Sequence, residues 1–181
     1  MQKLRSELAK IRQIKEPLKQ KLWALAVLTK ALEKDSLKPI LIGGCALEYY
    51  TMGGYTTGDV DIALPTISKV EDAFTELGFE REGRYWVHKE YDLLFEAPTA
   101  NLAGEEAELT EVMIGGLHCF VIGVEDLIID RLNSYVHWKW EDDGRWVKRL
   151  IELHGKDLDM KYIRNKAGKE GTLAAFEKLL K

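Results

Sequence analysis

The sequence predicts an α/β fold with helical additions at both ends, and three observations carry that expectation. Apolar residues recur at three- and four-residue steps from Leu4 to Leu32. The stretch PILIGGCALEYYTMGGYTTGDVDIAL (39–64) reads as strand, glycine turn, helix, strand. Helical periodicity returns from VEDLIIDRL (124–132) to the end. The chain therefore divides into an N-terminal helical segment (1–38), a strand-bearing core (39–123) and a C-terminal helical region (124–181) expected to pack on that core.

Element by element, Pro17 interrupts the first apolar stripe. Proline lacks the N–H that a helix interior needs, so two helices are expected, over 2–15 and 17–34, with Pro17 in the first turn of the second. PILI is a short buried strand, Gly43 and Gly44 turn the chain, CALEYY makes a helical turn or two, and GDVDIAL is a second strand. SKVEDAFTELGF follows as a helix with Ser68 as its cap and Gly78 as its stop. RYWVHKE and YDLLFEAP are strands, and AELTEVMI and LHCFVIG flank Gly115 and Gly116 as a hairpin. The C-terminal helices are expected to break near Gly144, Gly155 and Gly171.

Composition excludes several classes. At 181 residues the chain builds one substantial core, 46% hydrophobic and 31% charged residues suit a soluble globular protein, and no apolar run approaches the roughly 20 residues that cross a bilayer. The start, MQKLRSELAK, carries charges where a signal peptide needs an uninterrupted apolar centre, so a cytoplasmic protein without membrane contact is expected. Cys45 and Cys119 lie in apolar surroundings without CxxC spacing, which suits buried thiols. The net charge of -4 conceals an uneven distribution: residues 1–38 carry 10 Lys+Arg against 4 Asp+Glu, residues 39–130 carry 4 against 18, and residues 131–181 carry 12 against 8. Acidic solvated faces account for this. An acidic core would also repel a nucleotide unless divalent metal neutralised it.

The chemistry concentrates in 39–64. On a strand Asp59 and Asp61 project to one face while Val60 and Ile62 point into the core. Two carboxylates so placed repel each other unless a cation lies between them, and hard oxygen donors suit Mg²⁺ or Mn²⁺. YDLLF offers a third acid, Asp92, should its strand neighbour the first. Such a triad can hold two metal ions about 3.5–4 Å apart for an in-line phosphoryl displacement. The turn at Gly43 and Gly44, opening a helix, presents backbone N–H groups suited to phosphate.

The combination of GG, a short helix, DVDI and a strand with an embedded acid (YDLLF) resembles the DNA polymerase beta-like nucleotidyltransferase superfamily, and within it the small prokaryotic minimal and abortive-infection-type members. The resemblance covers residues 39 to about 96 and extends loosely to VEDLIIDRL and MKYIRNKA. It implies a mixed nucleotidyltransferase-type sheet flanked by helices. It also implies a nucleoside triphosphate as substrate with Mg²⁺ (or Mn²⁺), and transfer of a nucleoside monophosphate to an RNA, protein or small-molecule hydroxyl. Carried over by residue, Gly43 and Gly44 form the phosphate turn and Thr57 belongs to the nucleotide site. Asp59 and Asp61 are catalytic metal ligands, Asp92 is the third metal-binding and catalytic carboxylate, and Arg131 contacts phosphate, with Asp143 as a further acid. Gly44 stands where relatives often have Ser, and Tyr55 where many have Arg. These departures leave open a catalytically reduced nucleotide-binding or toxin–antitoxin interaction module, and a metal-dependent phosphodiesterase would use the same acids. As partners, a toxin–antitoxin counterpart and a second copy in a homo-oligomer are left open.

Other conspicuous residues carry less. His88, His118, His137 and His154 share no ligand spacing, so zinc is not expected. Trp138, Trp140 and Trp146, interleaved with Lys139 and Arg145, could stack on single-stranded RNA, but packing between helices is the expectation. No GxSxG or P-loop sequence is present.

Overall fold

A computed structural model describes residues 2–105 and 108–181. The chain forms two compact units: one runs to Leu102 and resumes up to Ile122, and the other takes Ala103–Glu105 and Gly123–Lys181.

The first unit is a mixed sheet with helices. Its elements are α1 (Gln2–Ala9), α2 (Pro17–Leu32), β1 (Ile40–Leu41), α3 (Gly43–Tyr50), β2 (Val60–Ala63), α4 (Ser68–Leu77), β3 (Glu80–Glu82), β4 (Tyr85–His88), β5 (Leu93–Thr99), β6 (Thr110–Ile114) and β7 (Leu117–Val121). Among the described residues the strands order as β3-β4-β5-β2-β1-β7-β6. β2 runs parallel to β5 and β1 parallel to β7, while the other neighbours are antiparallel. Pro17 does open α2, where its missing N–H costs nothing. Residues 21–29 of that helix are all buried, and it packs against β7, α4, α1 and α3. Leu25, Leu28, Leu32, Leu41, Leu47, Ile62, Phe74 and Phe95 form the centre of the core, where Phe74 stacks on Trp86 at 4.3 Å.

Several expectations need adjustment. The first helix ends at Ala9 and tightens into a 3₁₀ turn over Lys10–Gln13, and α2 likewise passes into a 3₁₀ turn at Glu33–Asp35. Ser68 is the first helical residue of α4 and caps nothing; Ile67 holds the cap position. β3 was not expected, since three exposed residues carry no apolar alternation. At the β6–β7 hairpin Gly115 and Gly116 both have positive φ, 56° and 81°, the geometry that matches the twist of two-residue hairpins. Ala107, the first residue of the expected AELTEVMI strand, lies outside the described residues.

The second unit is helical: α5 (Val124–His137), α6 (Glu141–His154), α7 (Met160–Lys169) and α8 (Leu173–Leu179). Its buried residues include Leu127, Leu132, Val147, Leu150, Ile163 and Phe176. Gly155 and Gly171 follow the ends of α6 and α7, but Gly144 lies inside α6, where its missing side chain admits the Tyr135 ring. Asp126, 1% exposed, ties the unit together. Its carboxylate accepts from Tyr162 Oη and Lys166 Nζ, each at 2.7 Å, and from Glu105 N at 2.8 Å. Burial, and then the bond to Asp126, push the Tyr162 phenol up to about 12. The packing expectation for the tryptophans fails at two of three: Trp138 and Trp140 are 67% and 60% exposed and meet edge to face. No helix among the described residues is long and apolar enough to cross a membrane.

Candidate active site

The site grows from the middle of the sheet. β2 lies between β1 and β5, with Val60 and Ile62 buried beneath it, so the other face of the strand is left to Asp61. The β2–β5 register pairs Val60 with Phe95 and Asp61 with Glu96. Phe95 faces the core, so Glu96, next along the strand, turns to the face of Asp61. Carboxylate oxygens of Asp59, Asp61 and Glu96 all lie within 4.8 Å of one another. At an effective dielectric constant near 20, two unit charges at such a distance repel by about 3–4 kcal/mol. A divalent cation removes that repulsion, and carboxylate oxygens are the hard donors that Mg²⁺ or Mn²⁺ prefers, with water or phosphate oxygens completing the octahedron. The donor set therefore fits the metal that the resemblance implies.

The glycine turn lies against these acids. Ile42 N donates to Asp61 O at 2.9 Å, which brings the start of α3 alongside β2. Gly43 has a φ of +60°, and a Cβ there would meet Asp61 Oδ2 at 2.5 Å. Only glycine lets the backbone pass so close to the carboxylate in that conformation. At Gly44 a Cβ would meet Tyr55 Cε1 at 3.3 Å and Thr57 Cβ at 3.4 Å, so Tyr55 and Thr57 wall the turn.

Around the acids the polar groups are organised. Thr57 Oγ1 donates to Asp59 Oδ1 at 2.5 Å. Lys21 Nζ donates to Glu48 Oε2 at 2.7 Å and to Thr57 O. Arg84 Nε lies 3.3 Å from Glu96 Oε2, its side chain otherwise exposed. The Cys45 thiol is pushed up to about 12, chiefly by burial, with Lys21 lowering it and Glu48, Asp61 and Asp59 raising it. That thiol is no nucleophile at neutral pH. Two cavities meet here: one of about 520 Å³ is lined by Asp59, Val87 and Leu94, another of about 610 Å³ by Lys21, Glu48 and Tyr91, and both by Thr57, Gly58, Asp92 and Leu93.

The structure thus brings together Gly43, Gly44, Thr57, Asp59 and Asp61. The third acid of the cluster is Glu96, not Asp92. Asp92 precedes β5, with a φ of 52° that turns the chain before the strand begins, and stands exposed where the two cavities join. In strict alternation Asp92, Leu94 and Glu96 would share a face, so the two-residue period along YDLLFEAP admits Glu96 as well as Asp92. Only the register selects it. Arg131 lies in α5, where its guanidinium meets Asp130 Oδ2 at 2.5 Å and Asp143 Oδ1 at 3.3 Å. Burial lowers its pKa and the two carboxylates more than restore it, leaving it raised.

The sequence matches no protein-family model and no curated protein. Solved structures do match. The chain is similar to an antigenic nucleotidyltransferase-like protein from Paracoccidioides brasiliensis, with 16% identity and a TM-score of 0.55 over 87% of this chain and 90% of that one. It is similar to ANT(2'')-Ia in two structures. One is in complex with adenylyl-2''-tobramycin, with a TM-score of 0.50 over 79% of this chain and 92% of that one at 16% identity. The other is a solution structure, with a TM-score of 0.53 over 95% and 97% at 16% identity. The fold of this chain is accordingly that of the nucleotidyltransferases.

Proposed function

We propose that this chain is a divalent-metal-dependent nucleotidyltransferase that moves a nucleoside monophosphate from a nucleoside triphosphate to a hydroxyl group. The observation that carries the reading is the convergence of Asp59, Asp61 and Glu96 beside the Gly43–Gly44 turn, on a sheet of nucleotidyltransferase topology. Asp59, Asp61 and Glu96 would hold Mg²⁺ or Mn²⁺, which supplies charge neutralisation and Lewis acidity to the phosphoryl group when bound. Backbone N–H groups at the start of α3 receive phosphate oxygens, aided by the positive end of the helix. Arg84, beside Glu96, adds a cation on the strand side. Asp92, at the junction of the two cavities, accepts the proton of the acceptor hydroxyl. Arg131, already engaged by Asp130 and Asp143, has no part in this scheme.

Among RNA, protein and small molecules as acceptors, the small molecule fits best. The two joined cavities measure about 520 and 610 Å³, the range of small-ligand sites. The structural neighbour bound to adenylyl-2''-tobramycin shows that a protein of this fold carries such an adduct. The test is incubation with labelled nucleoside triphosphates, Mn²⁺ or Mg²⁺, and separate pools of small hydroxylated molecules, RNA and protein. Label transfer with pyrophosphate release, abolished in Asp59→Asn and Asp61→Asn variants, is expected. Absence of transfer to every pool, or equal transfer by the variants, refutes the reading.

A further inference from the structure

The chain from Thr51 to Asp59 joins α3 to β2 through turns and bends, yet its end must hold Asp59 as accurately as a metal ligand requires. We infer that Lys21 is a positioning residue of this site: from α2 it fastens the backbone of Thr57, and through the Thr57 hydroxyl it orients the Asp59 carboxylate. The inference rests on the reading of Asp59, Asp61 and Glu96 as metal ligands.

Lys21 is 8% exposed, in a helix whose buried residues are otherwise nearly all apolar. A buried ammonium is costly unless paired, and Glu48, 4% exposed, supplies the pair at 2.7 Å. Neutralising the lysine would need no more than that. The ammonium instead makes a second bond, to Thr57 O, 36 residues along the chain. The side chain of the same Thr57 donates to Asp59 Oδ1 at 2.5 Å. A continuous chain of contacts therefore runs from a rigid helix to one carboxylate of the cluster. A hydroxyl donor on one oxygen limits rotation of the carboxylate and biases which oxygen faces the other acids. Outer hydrogen bonds of this kind determine how well a carboxylate ligates.

Two roles for Lys21 must be separated: neutralising Glu48, and positioning Thr57. The double variant Lys21→Met/Glu48→Leu removes both charges together, so no buried ion is left alone, while Thr57 O loses its donor. Lys21→Leu/Glu48→Met is a second such pair should the first fail to fold. Three measurements apply: melting by circular dichroism, Mn²⁺ affinity by titration, and amide hydrogen exchange over residues 54–59. A folded double variant is expected to exchange faster over 54–59 and to bind Mn²⁺ about 10-fold more weakly, as loss of an outer partner does. Thr57→Val is expected to lose a similar factor, and combining it with the double variant to lose no more, because both cut one chain of contacts. Wild-type Mn²⁺ affinity in a folded double variant, or losses that simply add, overturns the inference. Unchanged exchange over 54–59 overturns it as well, whatever the metal does. A wild-type chain that takes up no Mn²⁺ refutes the metal reading instead, and exchange alone then decides the role of Lys21.

Discussion

Replacing Gly43 by alanine tests the site at its tightest point. The perturbation has two parts. The φ of +60° puts the new Cβ in the left-handed region, which costs an L-residue about 1–2 kcal/mol. The Cβ would also stand 2.5 Å from Asp61 Oδ2, so the oxygen must retreat by about 1 Å to reach an ordinary contact of 3.4 Å. For a chain of this size 1 kcal/mol lowers the melting temperature by about 2–4 °C, so a fall of about 2–8 °C is expected. Misplacement by about 1 Å at a reacting site costs on the order of 100-fold in rate. Gly44→Ala is the control. Its Cβ would meet side chains at 3.3 and 3.4 Å without a positive φ, and alanine in a helix gains about 0.5–1 kcal/mol over glycine. Thermal melts, Mn²⁺ titration and labelled-nucleotide transfer on both variants make the assay. Gly43→Ala should lose in all three while Gly44→Ala stays near the wild type. A Gly43→Ala protein with wild-type melting and Mn²⁺ affinity, or equal losses in both variants, refutes the argument that the turn is shaped around Asp61.

Four further outcomes are expected. Glu96→Gln should weaken Mn²⁺ binding by at least about 10-fold. Asp92→Asn should spare Mn²⁺ binding and lower turnover by the roughly 10²–10⁴ that a general base contributes; the reverse pattern would restore Asp92 as the third ligand. Burial holds the pKa of His88 below its ordinary value of about 6.5, and its Nδ1 has no hydrogen-bond partner among the described residues. The neutral ring is therefore the folded form, its stability contribution complete above about pH 6.5 and lost as pH falls from there through the lower folded value. His88→Phe should flatten that part of a stability-versus-pH curve measured by urea melts. Asp126→Ala leaves Lys166, 18% exposed at its side chain, without its buried partner, and should cost about 3–5 kcal/mol in a urea melt.

How far the site was legible follows from which rules are local. The pairing of Asp59 with Asp61 needs only the two-residue period of a strand, and the glycine turn needs only the unusual juxtaposition of two glycines with a short helix. Both stood in one contiguous stretch. Glu96 was missed because its place depends on register with β2, and a shift of one residue along β5 exchanges the two faces. Lys21 was missed for a related reason. In sequence it is one polar residue within an apolar helical stripe, and its partners are 27 and 36 residues away. The exposed Trp138 and Trp140 mark the converse error, since apolar size alone does not say which rings find neighbours.

By itself the sequence determined the α/β class, the helix opened by Pro17, the glycine turn and the paired aspartates of 39–64, because each follows from steric or periodic rules acting over a few residues. Only the tertiary structure decided that Glu96 completes the acidic cluster, that Asp92 stands at the junction of two cavities, and that a buried lysine from α2 holds the loop before Asp59. Those placements depend on strand pairing and helix packing, where contacts distant in sequence are selected together by burial of the common core.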